Sequence, residues 1–281
     1  MSFQPIVPTG GIAGWKILNR TMARQSTSFE KSAVIQRESA HFREKIASVH
    51  SAKDLVADRQ LLKVALGAFG LDEDIDKGYF IRRVLEEGTI EPQSFANRLV
   101  DKRYAALSDA FGFGSPFGPR TGRTAFPDEI LSAYIDRQFE IAVGDSDENM
   151  RLAMAFRREI GDIASGSESN NAAWFSLLAN PPLRKVLEYS LNLPSEFSSI
   201  NIDRQVSILK TKTAQVFGGK SIGVFQDAST VETVIERFLA RAQLDGGTTA
   251  TTSKSTALTI LTGGAASGSG TLEALFSALY N

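Results

Sequence analysis

The stretch Ser51–Leu71, SAKDLVADRQLLKVALGAFGL, decides how this chain is read. Asp58 is a good N-cap, because its carboxylate can accept from the orphan N–H groups of a first helical turn. Leu61, Leu62, Val64, Ala65, Ala68 and Phe69 follow at helical spacing. Gly70 tolerates the left-handed conformation of a helix stop, and Leu71 can then fold back onto the last turn. The same order recurs at Leu99–Phe113: Asp101, then Tyr104, Leu107 and Phe111, then Gly112 and Phe113. It recurs again at Leu177–Leu193: Asn180, then Leu183, Val186, Leu187 and Leu191, then Asn192 and Leu193. A loose duplication and a chance recurrence both account for this. The unequal spacing of the copies disfavours an open solenoid.

Composition sets the next bounds. At 281 residues the chain has room for one large domain or two smaller ones. Its 31 Lys+Arg balance 32 Asp+Glu, which argues against a dedicated nucleic-acid surface. The absence of cysteine removes disulfides, thiolate metal sites and a cysteine nucleophile together. The start, MSFQPIVPTGGIAGW, has no basic segment, long apolar run or small-residue cleavage site, so it does not read as a signal peptide. No window approaches the 18 apolar residues of a membrane span, so a soluble protein is expected.

Along the chain, residues 1–13 read as an extended arm and a first helix is expected from about Gly14 to Ser28. Ser32 should cap a second helix, and Ser51 with Asp54 forms a capping-box-like pair. Residues 14–111 make an N-terminal helical half. Residues 112–126, GFGSPFGPRTGRTAF, hold four glycines and two prolines and read as a hinge loop. A C-terminal helical half, 127–244, opens with Pro127 followed by Asp128 and Glu129, both favourable at a helix N-terminus. Asp145 with Glu148, and Ser229 with Glu232, are read as further capping boxes. No convincing strand precedes residue 245. The body is expected to be all-α.

Residues 245–281 differ. Of residues 245–270, 21 of 26 are Gly, Ser, Thr or Ala, too few bulky side chains to offset their ordering entropy. Thr271 then caps LEALFSAL, where Leu272, Leu275, Phe276 and Leu279 share a helical face. Two readings stand: a terminus that folds back on the body, or a tethered peptide that orders against a protein partner. In the second, those four residues are the partner contacts.

Several stretches imitate chemistry without completing it. Phe217–Ser221, FGGKS, looks like the end of a phosphate-binding loop, but its first glycine position falls at Ala214–Gln215 and no strand precedes it. Asp72, Asp74 and Asp76 resemble half a calcium loop, yet Lys77 and Arg83 occupy the positions that need Gly and a bidentate Glu. Asp145, Asp147 and Asn149 fail likewise, with Met150 and Phe156 at those places. His41 and His50, the two histidines, make neither a metal pair nor an evident acid–base dyad from their spacing. Arg82–Arg83 and Arg157–Arg158 read as solvated helix faces with i, i+4 pairing to nearby glutamates. No catalytic, cofactor-binding or metal residue is nominated.

A resemblance adds to this. The order Phe29–Glu30–Lys31, Val34–Glu38, Phe42, Ile46, Ala52–Leu55 and Asp58–Arg59, then Ala68–Leu71, Phe80–Gly88, Phe95–Leu99 and Ala110–Phe113, resembles a bacterial family of unknown function. It covers about residues 28–244, and the Ala-Phe-Gly-Leu to Leu-Glu-Glu-Gly segment is its most specific part. The resemblance implies an all-helical protein whose genes commonly sit among flagellar genes, with no catalytic residues to carry over. The expectation is therefore a non-enzymatic, cytoplasmic protein of the flagellar system acting by protein–protein contact. Export through the flagellar apparatus is the alternative location. The alternative function is an enzyme whose pocket of Asp, Glu and Arg side chains is assembled only in the fold.

Overall fold

The computed structural model describes residues 3–166 and 170–249. Two units separate, 1–241 and 242–281; of the second, only the end of the last helix is described. Among the described residues every regular element is helical and there is no strand.

The expected arm and first helix are shifted. Helix α1 (Gly11–Glu30) begins three residues early, and the arm is strapped to it from both sides. Gln25 Oε1 accepts from Ile6 N at 2.6 Å, and Gln25 Nε2 donates to Ile6 O at 3.2 Å. The turn is so tight that a Cβ on Gly14 would lie 1.7 Å from the Thr9 carbonyl oxygen, so only glycine fits there.

Helix α2 (Ala33–Lys45) leads to α3 (Ala52–Ala57) and α4 (Arg59–Ala68). Ser51 Oγ accepts from Asp54 N, and Asp58 Oδ1 accepts from Gln60 N and Leu61 N, so both caps form as the residue types require. Gly70 adopts φ +69° and Leu71 N donates to Leu66 O at 2.9 Å, completing the Schellman stop. Asn192 (φ +55°) and the Leu193 N to Glu188 O bond repeat that closure on α11 (Pro181–Ser190). The middle copy is looser. In α7 (Arg103–Phe111) Gly112 is left-handed, but Asp101 accepts from one backbone N–H, that of Arg103, and otherwise from the Arg103 guanidinium, and no Schellman bond follows.

Helices α8 (Phe126–Gly144) and α9 (Glu148–Ser165) form the antiparallel centre. Helix α4 packs on α8, α9 packs on α8 and α11, and α2 covers α4. Helix α9 is buried nearly all round, through Met150, Leu152–Phe156 and Ile160. Helices α5 (Gly78–Glu87), α6 (Phe95–Arg98) and α7 make one flank. On the other, α10 (Asn170–Leu178) contacts α9, α11 and α12 (Ile202–Phe217). Edge-on aromatic pairs such as Phe111–Phe126 (centroids 5.1 Å) and Phe156–Phe225 (6.2 Å) fill the layers.

The 112–126 connection is tied by the buried Thr121, whose Oγ1 donates to Val49 O at 2.7 Å. Gly114 lies against Gly88, where a Cβ would come within 2.5 Å of the Gly88 nitrogen.

Two capping expectations need correction. Asp147, not Asp145, caps α9: its Oδ1 accepts from Asn149 N and Met150 N, while Asp145 continues α8 in helical conformation. Helix α13 (Ala228–Thr249) is opened by Asp227, whose Oδ2 accepts from Thr230 N and from the Ser229 and Thr230 hydroxyls. Glu232 is thereby free for other work. It accepts from Trp15 Nε1 at 2.6 Å and from Arg157 Nη2 at 2.6 Å, and the Arg157 guanidinium lies 4.3 Å over the Trp15 ring.

Candidate functional site: a charged groove beside the central helices

The stops and caps that define the repeated unit also line a large concavity. At Gly70 the Schellman turn leaves a carbonyl pointing outward, and Arg103 Nη1 donates to it. A Cβ on Gly70 would sit 2.6 Å from Arg137 Nη1, the end of a side chain that can shift, so it is the φ of +69° that favours glycine here. Asn180 caps α11 with Oδ1 and turns Nδ2 to Glu159 Oε2 at 2.6 Å. Pro181 and Pro182 continue the wall. Between these corners lies a groove of about 1390 Å³, with the α8 and α9 faces as floor and the segments 70–77 and 100–104 opposite.

The floor is a network of paired charges. Arg158 Nε and Nη2 hold Glu140 through two 2.8 Å bonds, and its Nη1 reaches Glu159 Oε1 at 2.8 Å. The Glu140 side chain is only 9% exposed. Burial opposes the charge of Arg158, but Glu140 and Glu159 outweigh it and hold the guanidinium above its ordinary range. Arg137 pairs with Glu159 at 3.2 Å. Its burial, and the neighbouring Arg158 cation, push it below the ordinary range despite that pairing. At one end Tyr104 donates to Asp74, which also pairs with Lys77 at 2.6 Å. Burial first, then Asp74, pushes the Tyr104 hydroxyl up. At the other end Arg151 grips Glu148 at 2.6 and 2.7 Å.

Each arginine in the groove is thus matched by a carboxylate. The rim is not. Glu73, Asp145 and Asp162 are exposed and form no ion pair among the described residues. Val100, Ile202 and Ile141 are exposed at 79%, 49% and 38%, so the groove also offers aliphatic surface.

The residues singled out in the sequence fall elsewhere or change meaning. Leu272, Leu275, Phe276 and Leu279 lie outside the described residues. The FGGKS stretch starts at the last residue of α12 and continues through the left-handed Gly218 to Ser221, which caps a 3₁₀ turn (Ile222–Gln226). Asp72, Asp74 and Asp76 point to three different partners, Gln138, Tyr104 with Lys77, and Arg59. Among the described residues no group of three or more His, Asp or Glu is placed to hold a metal. Arg82 and Arg83 do pair with Glu86 and Glu87 at i, i+4. Arg158 does meet the neighbouring Glu159 at 2.8 Å, but neither Arg157 nor Arg158 pairs at i, i+4, and both also reach across to other helices, which corrects the solvated-face reading.

His41 has a partner that its spacing does not show. Its Nε2 lies 2.8 Å from Asp58 Oδ2, beside a shallow depression of about 640 Å³. Burial opposes the Asp58 charge, but the Leu61 and Gln60 N–H groups and His41 outweigh it and hold the carboxyl below its ordinary range. Since Oδ1 is occupied by the cap, this pair braces a helix start. No local rule joins residues 17 positions apart.

Among the described residues no helix is long and apolar enough to cross a membrane. The family model described as "Protein of unknown function (DUF1217)" matches residues 68–231, a stretch that contains every residue lining the groove. No curated protein matches the chain. Among solved structures, the crystal structure of protein AGR_C_984 from Agrobacterium tumefaciens is similar. The two are 26% identical with a TM-score of 0.70, over 86% of this chain and 99% of that one.

Proposed function

We propose that this chain, which belongs to the family described as "Protein of unknown function (DUF1217)", is a non-enzymatic protein of the bacterial flagellar system working through protein–protein contacts. Those contacts serve assembly, export or regulation. The observation that carries the contact reading is the groove, where exposed aliphatic side chains border a floor whose arginines are already neutralised. Such a floor supplies shape and no spare reactive group. The flagellar part rests on the resemblance in the sequence and the gene neighbourhood it implies. Deleting the gene should impair swimming or alter filament length; unchanged motility, filament length and flagellar gene expression would sink the reading. Residues Leu272, Leu275, Phe276 and Leu279 are proposed as a second contact surface, tested by removing residues 245–281 and measuring partner capture. The proposed location is the cytoplasm. Detection in filament or medium fractions would favour export instead.

The enzyme alternative draws on the same groove, because convergent charged side chains also describe a catalytic pocket. Against it, the two glutamates of the floor, Glu140 and Glu159, are both held by arginine. Turnover of any small molecule that is abolished by Glu159→Gln, in a folded variant, would favour it.

A further inference from the structure

We propose that the groove docks a basic, amphipathic α-helix of a partner protein. This rests on the protein-contact reading and names the chemistry of the partner.

Three observations lead to it. The first is size. At about 1390 Å³ the groove exceeds the roughly 300–1,000 Å³ of small-molecule sites. Its floor runs along α9 from Glu148 to Ile163, about 22 Å at 1.5 Å per residue, which matches about four helical turns of a guest. The second is backbone chemistry. No strand exists among the described residues, so an extended peptide finds no sheet edge to pair with, whereas a helix satisfies its own backbone.

The third is charge. Nine acidic residues line the groove against six basic ones, an excess of three where the whole chain has an excess of one. The pairing concentrates that excess at the rim. Arg103, Arg137, Arg151 and Arg158 are all spent on carboxylates, and Lys102 is turned to the Asn97 carbonyl. Glu73, Asp145 and Asp162 remain open. Asp145 follows α8 where the chain turns into α9, and Asp162 sits near the far end of α9, so they bracket that length of floor. A guest helix with Leu-type residues towards Ile141, Ile202 and Val100 and lysines or arginines on its flanks meets both features.

The test uses the full chain and a fluorescein-labelled 15-residue model helix, with leucines at i, i+3, i+4 and i+7 spacing and flanking lysines. A second peptide carries glutamate in place of each lysine. Anisotropy near physiological salt should show micromolar binding of the lysine peptide and at least tenfold weaker binding of the glutamate peptide. The doubly reversed variant Asp145→Lys/Asp162→Lys should bind the lysine peptide at least tenfold more weakly and the glutamate peptide more tightly. Ile202→Ser should weaken the lysine peptide about fivefold. Glu129→Lys, in the first turn of α8, should leave affinity unchanged, and thermal melts check that each variant is folded. No binding by either peptide, equal affinity of the two, or an equal loss in Glu129→Lys overturns the proposal. Motility separates the two readings. Lost peptide preference with normal swimming keeps the docking site and removes the flagellar role; a swimming defect with unaltered peptide binding does the reverse.

Discussion

Replacing Glu140 by glutamine tests whether the floor of the groove is structural. The Glu140 carboxylate is 9% exposed and takes both Arg158 bonds at 2.8 Å. Glutamine keeps the shape, removes the charge and turns an amide N–H₂ towards a guanidinium that can only donate. Breaking one side of a buried ion pair costs about 3–5 kcal/mol when the surviving charge has no other partner. Arg158 still holds Glu159 Oε1 at 2.8 Å, which reduces the expected loss to about 2–4 kcal/mol. Against a urea dependence of about 3 kcal/mol per molar for a domain of this size, the midpoint should fall by about 1 M with an unchanged slope. Glu140→Leu combined with Arg158→Met should recover much of the loss, since it removes both charges from a poorly solvated site. A shift below about 0.2 M, or a double variant as weak as the sum of its singles, would refute the account of the floor.

Two further outcomes follow from local geometry. The Asp58 carboxyl titrates below its unfolded value, so its charge stabilises the fold above about pH 4 and stops doing so as pH falls through the lower folded value. The stability gap between the wild type and Asp58→Asn, measured by urea titration across pH, should therefore be open at neutral pH and close in acid; a constant gap contradicts it. Gly114→Ala should lower stability by more than about 2 kcal/mol, because its Cβ meets the Gly88 backbone at 2.5 Å. Gly118→Ala, at φ +79° with nothing within 4 Å, should cost only about 1–2 kcal/mol, and paired thermal melts that rank the two the other way count against the close approach.

What could be read in advance was what is local. Asp58, Gly70, Asn180 and Asn192 act within a few residues of themselves, and their chemistry is the same in any helix. Choosing between neighbouring candidates already needs the fold. Asp145 and Asp147 are equally fit as caps, but Asp147 takes the extended conformation (φ −154°) while Asp145 stays helical (φ −59°). Ser229 lost to Asp227 in the same way. The groove was out of reach, because its bonds join residues 18 and 21 positions apart, Arg158 with Glu140 and Asn180 with Glu159. The i, i+4 rule explained Arg82 and Arg83 and misassigned Arg157 and Arg158 for that reason. Gly70 and Asn180 were visible as punctuation; their second role, accepting from Arg103 and donating to Glu159, was not.

The bond from Trp15 to Glu232 spans 217 positions, and this sets a timetable for biosynthesis. At about 5–20 residues per second, a ribosome takes about 10–40 s to deliver the carboxylate after the indole has emerged. Through that interval the indole N–H must be solvated or shielded by something else, while helices such as α2 to α4 have their partners sooner. Helix α1 would therefore be among the last parts of the body to be fully secured, open to chaperones until Glu232 has emerged.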